Sequence, residues 1–274
     1  MGNWLVTVID RQRKRGMDPV FPIPKQPFAA RDGLVIGGRT GEITCTDGDG
    51  RVRWSHPVPG TPNAAHISSG RVLVTTSSIN YHAWGHLGPA YLLDLADGTL
   101  VAELRGERGA ALGGGRFVLG LEGYDYFHTW QFDRDGQCTD TWRSYGHYVV
   151  GTGLRVVEAD RMTPTESRVV RLLPGGVIER SSLLLTGSQP CAPVVLHDGT
   201  ILVLDAGVLR AFGRDLGDAT LAELVTVPDG EASRFTSTLE RTAADRLTAV
   251  IRERDPERGK YVTHTWTLAL HAPQ

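Results

Sequence analysis

Residues 41–54 read Gly-Glu-Ile-Thr-Cys-Thr-Asp-Gly-Asp-Gly-Arg-Val-Arg-Trp, and residues 130–142 read Trp-Gln-Phe-Asp-Arg-Asp-Gly-Gln-Cys-Thr-Asp-Thr-Trp. Each segment contains a short alternating strand, a turn rich in Asp and Gly, and a second strand that ends in Trp. Gly adopts positive φ without a Cβ clash, so Asp and Gly between alternating strands indicate a β-hairpin. Both segments are therefore predicted to be hairpins.

The same pattern recurs along the chain. Residues 91–104 repeat it around Asp97-Gly98, and residues 169–181 repeat it around Gly175-Gly176. Further pairs of short apolar strands precede these hairpins, so the repeat is a unit of four strands. The six units are predicted to begin near Phe28, Ala65, Ala110, Tyr148, Cys191 and Phe235. Their spacing of about 40 residues is typical of the blades of a β-propeller.

The last unit contains three strands and ends at residues 262–270. Residues 3–9 form an apolar strand that could supply the fourth, which would join both ends of the chain in one blade and remove an exposed sheet edge. The sequence therefore predicts an all-β fold, with residues 1–274 as one β-propeller of six four-stranded blades. Five or seven blades result if the strands are divided differently.

The units that end in Trp54 and Trp142 resemble the repeats of quinoprotein-like propellers, in which an Asp-x-x-Gly turn leads to a strand ending in Trp. The other units match less well, so WD-type propellers remain an alternative. Quinone-dependent dehydrogenases of this group have eight blades and adjacent cysteines at the cofactor, and this chain has neither. The resemblance therefore implies the fold and not the cofactor.

Composition narrows the classes of partner. The formal charge of −2 arises from 29 basic and 31 acidic residues, which gives no reason to expect nucleic acid or a membrane surface as a partner. No apolar run approaches the roughly 18 residues of a membrane span, and the N-terminal residues lack the order of a secretory signal. Cys45, Cys138 and Cys191 form no close pair, which suits a reducing compartment. We expect a cytoplasmic protein.

Several residues do not fit the alternating pattern of the strands, and they lie in the connections between strands. Residues 79–88 and 122–128 are predicted to be enlarged loops between the second and third strands of neighbouring blades. These loops share one face with the links between blades, and ligands commonly bind at such loops. The predicted ligand-binding residues are His66, His82, Trp84, His86, Tyr124, Asp125, Tyr126, His128, Tyr145, His147 and Arg234.

Imidazoles near carboxylates can transfer protons or bind a metal. The candidate catalytic residues are His82, His128, His147 and Asp125, and the candidate metal ligands are His82, His86 and His128. A divalent metal is the cofactor that such a cluster could hold, and no other cofactor is indicated. The alternative is that these side chains pack the loops and bind exposed backbone groups.

Four other features have simple interpretations. Cys191 lies between prolines in an apolar strand and is interpreted as a small buried hydrophobe rather than a nucleophile. Residues 47–50 resemble the start of a calcium loop but are interpreted as a hairpin turn, and residues 11–15 as a solvated link that could meet phosphate. Arg234 could clamp a carboxylate or phosphate, or be an ordinary surface arginine. Trp54 and Trp142 are predicted to wedge between blades.

The leading hypothesis for function is a cytosolic binding or scaffold module that holds a protein or small molecule on its loop face, by analogy with other propellers. The alternative is an enzyme, a hydrolase, lyase or isomerase with a His/Tyr/Asp site at the same face, in which a metal could take part. A sugar-binding module would use the rings of Trp84, Tyr124 and Tyr126 for stacking.

Overall fold

The computed structural model describes residues 4–16, 27–82, 85–106, 108–122, 127–144, 146–150, 155–160, 166–186, 191–228, 230–231, 234–254 and 260–272. Within these ranges the chain forms 24 β-strands arranged as six four-stranded sheets. The prediction of an all-β protein is confirmed. None of the described segments is a helix long and apolar enough to cross a bilayer.

Three of the sheets belong to one compact unit, which also includes the turn Pro174–Val177. Their strands are β2 (Ala29–Arg31), β3 (Leu34–Arg39), β4 (Glu42–Thr46) and β5 (Val52–Pro57) in sheet 1, β6 (Gly60–Ser68), β7 (Arg71–His82), β8 (Gly85–Asp94) and β9 (Leu100–Arg105) in sheet 2, and β10 (Arg108–Gly113), β11 (Arg116–Glu122), β12 (Phe127–Phe132) and β13 (Cys138–Ser144) in sheet 3. Each strand pairs antiparallel with the strand that follows it within its sheet.

The other three sheets belong to a second unit. Their strands are β14 (Gly146–Val150), β15 (Arg155–Asp160), β16 (Ser167–Leu173) and β17 (Val177–Leu183) in sheet 4, β18 (Val194–Val195), β19 (Ile201–Asp205), β20 (Val208–Phe212) and β21 (Asp218–Glu223) in sheet 5, and β22 (Phe235–Ala243), β23 (Arg246–Arg254), β24 (Tyr261–His271) and β1 (Leu5–Gly16) in sheet 6. The order in sheet 6 is β1-β24-β23-β22, so β1 is an edge strand.

The observed first strands begin close to the predicted ones. Five of them begin within three residues of the prediction, and β6 differs most, beginning at Gly60 instead of Ala65. Pro62 and a bulge at Asn63 interrupt the alternation that would have revealed the start of β6. Pro is tolerated there because β6 is an edge strand, on which one row of N–H groups needs no partner.

The N-terminal strand differs more from its prediction. Residues 11–15 were expected to form a solvated link, but they continue β1 as far as Gly16, which lies opposite Tyr261. A basic sequence does not look like a buried strand, yet an edge strand with solvated side chains accepts it because only its backbone must pair. The expected exposure of these residues is confirmed, and their expected conformation was wrong.

The Asp turn of sheet 1 shows why this sequence forms a hairpin. The carboxylate of Asp47 accepts hydrogen bonds from the backbone N–H groups of Asp49, at 3.0 Å, and Arg51, at 2.9 Å. Gly50 closes the turn with φ of +80°, a value that few L-residues adopt. Asp133 makes the corresponding pair of bonds in sheet 3. The interpretation of residues 47–50 as a hairpin turn is confirmed.

Trp54 joins sheet 1 to sheet 2. Its indole Nε1 donates a 2.8 Å hydrogen bond to the carbonyl of Leu95, and a Cβ built on Gly98 would lie 2.6 Å from the indole ring. The turn that follows β8 therefore places a glycine, which has no side chain, against the indole ring of Trp54. The predicted wedge role of Trp54 is confirmed, and Trp142 is also buried.

Sheet 5 lies at the centre of the largest apolar cluster, and all five residues of β19 are buried. The last of them, Asp205, is fully buried and accepts hydrogen bonds from Arg210 Nη1 at 2.7 Å and from the backbone N–H of Thr186 at 2.8 Å. The same guanidinium binds Asp218 at 2.6 Å. A buried carboxylate needs such partners, because leaving it unpaired costs several kcal/mol, about 3 to 5 for a broken buried pair.

Gly98→Ala is expected to destabilise the protein more than Gly50→Ala. Both glycines close an Asp turn with positive φ, so each substitution costs about 1–2 kcal/mol of backbone strain. Only Gly98 has an indole ring where the new Cβ would lie, which adds about 1–3 kcal/mol of overpacking. Urea unfolding of the two variants measures the difference, and equal losses would show that Trp54 does not dock as described.

Candidate functional site

The unit formed by sheets 1–3 has two distinct ends. One end, called here the hairpin end, carries the β3–β4, β7–β8 and β11–β12 connections and the links from β5 to β6 and from β9 to β10. Sheets 1 and 2 meet there, because Gly41 N–H donates to the carbonyl of Gly60 at 2.8 Å and the hydroxyls of Thr40 and Thr61 lie 2.9 Å apart. The opposite end carries the Asp turns.

A two-stranded arm projects from sheet 2 at the hairpin end. β7 and β8 are 12 and 10 residues long. Their pairing runs from Arg71 opposite Asp94 to Thr75 opposite Ala90, and after register shifts Ser77 lies opposite Leu87 and His82 opposite Gly85. The neighbouring strand β6 pairs with β7 only as far as Ser78, and β9 begins to pair with β8 at Pro89. The segment predicted as an enlarged loop is therefore mostly a hairpin.

The predicted site residues of this arm lie outside the described parts of the structure. Trp84 is outside the described backbone, and the side chains of His82 and His86 are outside the described side chains. Their assignment to a ligand or metal site stays a prediction. What the structure adds is that the backbone on both sides of Trp84 is paired as two strands.

A polar cluster that sequence reasoning missed lies at the base of the arm. Asn63 forms the bulge in β6, and its Nδ2 donates a 3.0 Å hydrogen bond to Ser77 Oγ. Thr75 donates its hydroxyl to Asn63 Oδ1, and Thr76 donates to the carbonyl of Pro89 at 2.7 Å. The only signal in the sequence was the Pro-Asn pair that breaks the alternation of β6.

His66 lies within β6, opposite Leu73, rather than at the start of the strand as expected. Its ring packs against β10, because a Cβ on Gly109 would lie 2.9 Å from Nε2. Nε2 is buried and has no hydrogen-bond partner among the described residues. Burial lowers the pKa of His66 to about 4, so the ring is neutral at pH 7. The role of His66 in ligand binding stays a prediction.

His128 lies near the start of β12, the third strand of sheet 3. Its ring stacks on Trp130, with centroids 5.2 Å apart, and its register partners are Leu121 and Arg143. Burial lowers the pKa of His128, and the charge of Arg143 lowers it further. No described contact links His128 to His66. The neighbouring candidates Tyr124, Asp125 and Tyr126 lie outside the described residues.

The second unit contains three of the predicted site residues, Tyr145, His147 and Arg234. Tyr145 and the side chain of His147 lie outside the described parts, although the backbone of His147 pairs with Ala159 in sheet 4. Arg234 forms ion pairs with Glu231 and, at 3.3 Å, with Glu253. The expected carboxylate clamp therefore exists, but its carboxylates belong to this chain.

Cys191 precedes β18 instead of lying in a strand. It is buried, and its Sγ donates to the carbonyl of Leu204 at 3.5 Å. Burial raises the pKa of the thiol to about 11, which keeps it protonated at pH 7. The interpretation of Cys191 as a buried hydrophobe rather than a nucleophile is confirmed by this environment.

The described residues contain no group of three or more His, Cys, Asp or Glu side chains arranged to hold a metal. His82 and His86, which are two of the three candidate ligands, have side chains outside that set. The metal site therefore stays a prediction.

Comparisons with known proteins identify the fold. No family model and no curated protein matches this sequence. Hsv2 from Kluyveromyces lactis matches with a TM-score of 0.53 and 11% identity, over 89% of this chain and 83% of that chain. A virginiamycin B lyase from Staphylococcus aureus matches with a TM-score of 0.53 and 11% identity, over 95% of this chain and 99% of that chain. The chain has a β-propeller fold.

The predicted resemblance to quinoprotein-like and WD-like propellers is thus confirmed at the level of the fold. In propeller terms, the hairpin end of sheets 1–3 corresponds to the face on which the sequence placed the site. Its described groups include the amide and hydroxyls of Asn63, Thr75 and Thr76, the imidazole of His128 and the Arg39–Glu42 ion pair. Such groups donate and accept hydrogen bonds, which suits polar ligands.

His66→Gln is expected to make the stability of the propeller less sensitive to acid. The pKa of His66 is below the usual 6.5 in the folded state, so the unfolded chain takes up the proton first as the pH falls. The parent therefore loses stability between pH 6.5 and pH 4, by about 3 kcal/mol from this group. Urea unfolding at several pH values measures the loss.

The control for this experiment is His271→Gln, which replaces an exposed histidine of β24. This control should keep the acid sensitivity of the parent protein. If His66→Gln and His271→Gln show the same dependence on pH, the burial of His66 against Gly109 is not the source of the acid sensitivity.

Proposed function

We propose that residues 1–274 form one six-bladed propeller, in which sheets 1–6 are the blades and β1 closes the ring as the outer strand of the last blade. Two observations support this architecture. The described residues form six sheets of four strands each, and β1 pairs with β24, although the rest of sheet 6 comes from the other end of the chain. A ring closed in this way needs no separate cap.

Calorimetry tests whether the chain is one domain. Leu202→Ala removes a fully buried side chain from sheet 5 and should cost about 2–5 kcal/mol, and Gly98→Ala weakens sheet 2. In a single domain both variants lower the midpoint of one and the same transition. Two transitions, each moved by only one of the variants, would contradict the proposal.

We further propose that the propeller is a cytosolic binding module whose hairpin end holds a protein or a small molecule. The observation that carries this proposal is the β7–β8 arm, which extends past both neighbouring strands and in which Ser77 pairs with Leu87 and, after a register shift, His82 pairs with Gly85. These two pairs restrict the backbone of the arm before a ligand arrives, so binding costs less conformational entropy than it would with an unpaired loop.

The residue types at this end favour recognition. The arm has Tyr81, Trp84 and two histidines in its sequence, and aromatic side chains of this kind dominate binding energies at interfaces. Its base has the Asn63 cluster, whose amide and hydroxyls are already oriented by one another. We propose that the arm makes the apolar contacts and that the base makes the hydrogen bonds.

The remaining predicted ligand residues are proposed to bind ligands as well. Those of the unit formed by sheets 1–3 are His66, His82, His86, Tyr124, Asp125, Tyr126 and His128, whereas Tyr145, His147 and Arg234 belong to the other unit and their role in ligand binding is proposed separately. The lyase neighbour has also been solved as a catalytically inactive variant with quinupristin, at a TM-score of 0.54 and 10% identity. That similarity concerns the fold, so the proposal rests on the arm and not on this neighbour.

Trp84→Ala is expected to weaken ligand capture at least about tenfold, because truncating a central aromatic anchor costs roughly 2 kcal/mol or more. Immobilised parent and variant proteins are incubated with the same cell extract, and bound proteins and metabolites are quantified by mass spectrometry. Leu100→Ala is the matched control, since Leu100 is an exposed apolar residue at the opposite end of sheet 2.

Equal capture by Trp84→Ala and the parent would contradict a binding site on the arm. If a captured small molecule is converted by the parent, and His82→Ala or His128→Ala stops conversion without stopping capture, the protein is an enzyme instead. The metal content of the parent and of the His82→Ala/His86→Ala variant shows whether a divalent metal belongs to that activity.

A further inference from the structure

The outer strand of sheet 6 is unlike the other outer strands. β1 has 12 residues, of which 11 are exposed, whereas the outer strands of sheets 1–5 have six or seven residues. Among the described strands its only partner is β24. An edge strand of this kind leaves a row of N–H and C=O groups without a strand partner, and such a row is a template for a further strand.

A bulge divides this edge into two parts. The register with β24 shifts between Val8 and Asp10, and bulges of this kind disturb the pairing of an edge. From Asp10 opposite Thr267 to Gly16 opposite Tyr261 the register is continuous. Residues 10–16, called here the basic edge, therefore form a regular seven-residue segment that could accept another strand.

The basic edge has a strong positive charge. Arg11, Arg13, Lys14 and Arg15 contribute four positive charges against the single negative charge of Asp10. Asp10 accepts a 3.2 Å hydrogen bond from Gln12 Nε2, which fits their position on the same face of the strand. Within the described part of the chain, no ion pair neutralises the four cations.

Three of these cations lie on one face, because side chains alternate along a strand. Arg11, Arg13 and Arg15 occupy alternate positions, whereas Lys14 lies on the opposite face. The guanidinium of Arg11 lies 5.5 Å from the ring centroid of Trp266, its partner on β24. This cation–π contact orients the first arginine of the row.

The partner of Arg13 on β24 is His264, whose ring is buried and stacks on Trp266 with centroids 5.5 Å apart. Burial lowers the pKa of His264, and the charges of Arg11 and Arg13 lower it further. The histidine is therefore neutral at pH 7, and among the described residues of β1 and β24 the charge on this face comes from the row of arginines.

We propose that the basic edge binds an extended acidic segment of another protein, which joins sheet 6 as a fifth strand. Residues directly opposite each other on neighbouring antiparallel strands share one face and interact. An acidic residue at every second position of the incoming strand would therefore meet Arg11, Arg13 and Arg15 in turn. Backbone hydrogen bonds supply affinity, and the charges select the register.

A peptide fits this edge better than a nucleic acid does. Phosphates would pair with the arginines but would leave the backbone N–H and C=O groups of β1 to water, whereas a peptide strand uses both. The chain as a whole has a formal charge of −2, so it lacks the extended positive field that attracts polyanions. This surface is independent of the hairpin end, which belongs to the other unit.

The test uses a fluorescent peptide, Thr-Glu-Val-Glu-Thr-Glu-Val, whose glutamates alternate, and the full-length protein. Fluorescence anisotropy measures its affinity beside Val-Thr-Glu-Glu-Glu-Thr-Val, which has the same composition and charge. The alternating peptide should bind at least about tenfold more tightly, because only its glutamates can all face the arginines. Hydrogen exchange should slow at the amides of residues 10–16 when it binds.

Two further comparisons separate strand addition from simple charge attraction. Arg13→Glu should weaken binding about tenfold or more, and Lys14→Glu, which makes the same change of charge on the opposite face, should weaken it only two- to threefold. Two N-methylated peptides are also compared, one methylated at its glutamates and the other at its remaining residues. One of them should lose binding and the other should keep it, because only alternate N–H groups of an added strand face the edge.

Equal binding of the two peptides would overturn the proposal, as would equal losses in Arg13→Glu and Lys14→Glu or equal effects of the two N-methylation patterns. Tighter binding of an oligothymidylate with the same net charge would identify the edge as a nucleic-acid surface instead. Circular dichroism of both variants confirms that the substitutions leave the sheets intact.

Discussion

A four-stranded sheet with apolar residues on both faces can be stable only when another sheet covers each face, and this requirement governs the structure. β7 shows it most clearly, since Val72, Leu73 and Val74 are consecutive and all fully buried. Neighbouring residues of a strand point to opposite faces, so both faces of sheet 2 are covered. Val72 and Val74 pack in a cluster with residues of sheet 1, and Leu73 packs with residues of sheet 3. Each sheet of this unit is thus stabilised by its neighbours more than by its own turns.

Close approach of the sheets explains where the small residues lie. Gly98 leaves room for the indole of Trp54, and Gly109 leaves room for the imidazole of His66. Polar groups at the rims complete the contact, as when Arg71 of sheet 2 donates from Nε to the carbonyl of Arg134 in sheet 3 at 2.9 Å. These bonds are made by partly exposed groups, so apolar packing supplies most of the stability and the polar contacts determine how the sheets align.

A scaffold stabilised in this way leaves its strand ends and outer edges free to differ. The β7–β8 arm and the basic edge of β1 are the two largest departures from the common blade, and each extends a strand beyond the length that packing requires. Their chemistry is different. The base of the arm presents amide and hydroxyl groups, whereas the edge presents three arginines on one face. The two proposed surfaces would therefore select different partners.

The local sequence determined the strands and the Asp turns. The strands depend on the alternation of apolar and polar residues, and the turns depend on hydrogen bonds between a side chain and the backbone a few residues away. The bonds that the N–H groups of Asp49 and Arg51 donate to Asp47 are an example. It also determined the six repeats and the wedge role of Trp54. The tertiary structure alone decided that β6 begins at Gly60, that residues 79–88 are largely strand, and that residues 11–15 pair with β24. It also decided that His66 is buried and that Arg234 binds carboxylates of its own chain. In each of these cases the outcome depends on a partner distant in sequence, and a polar or basic segment becomes a strand when an adjacent strand offers it hydrogen bonds.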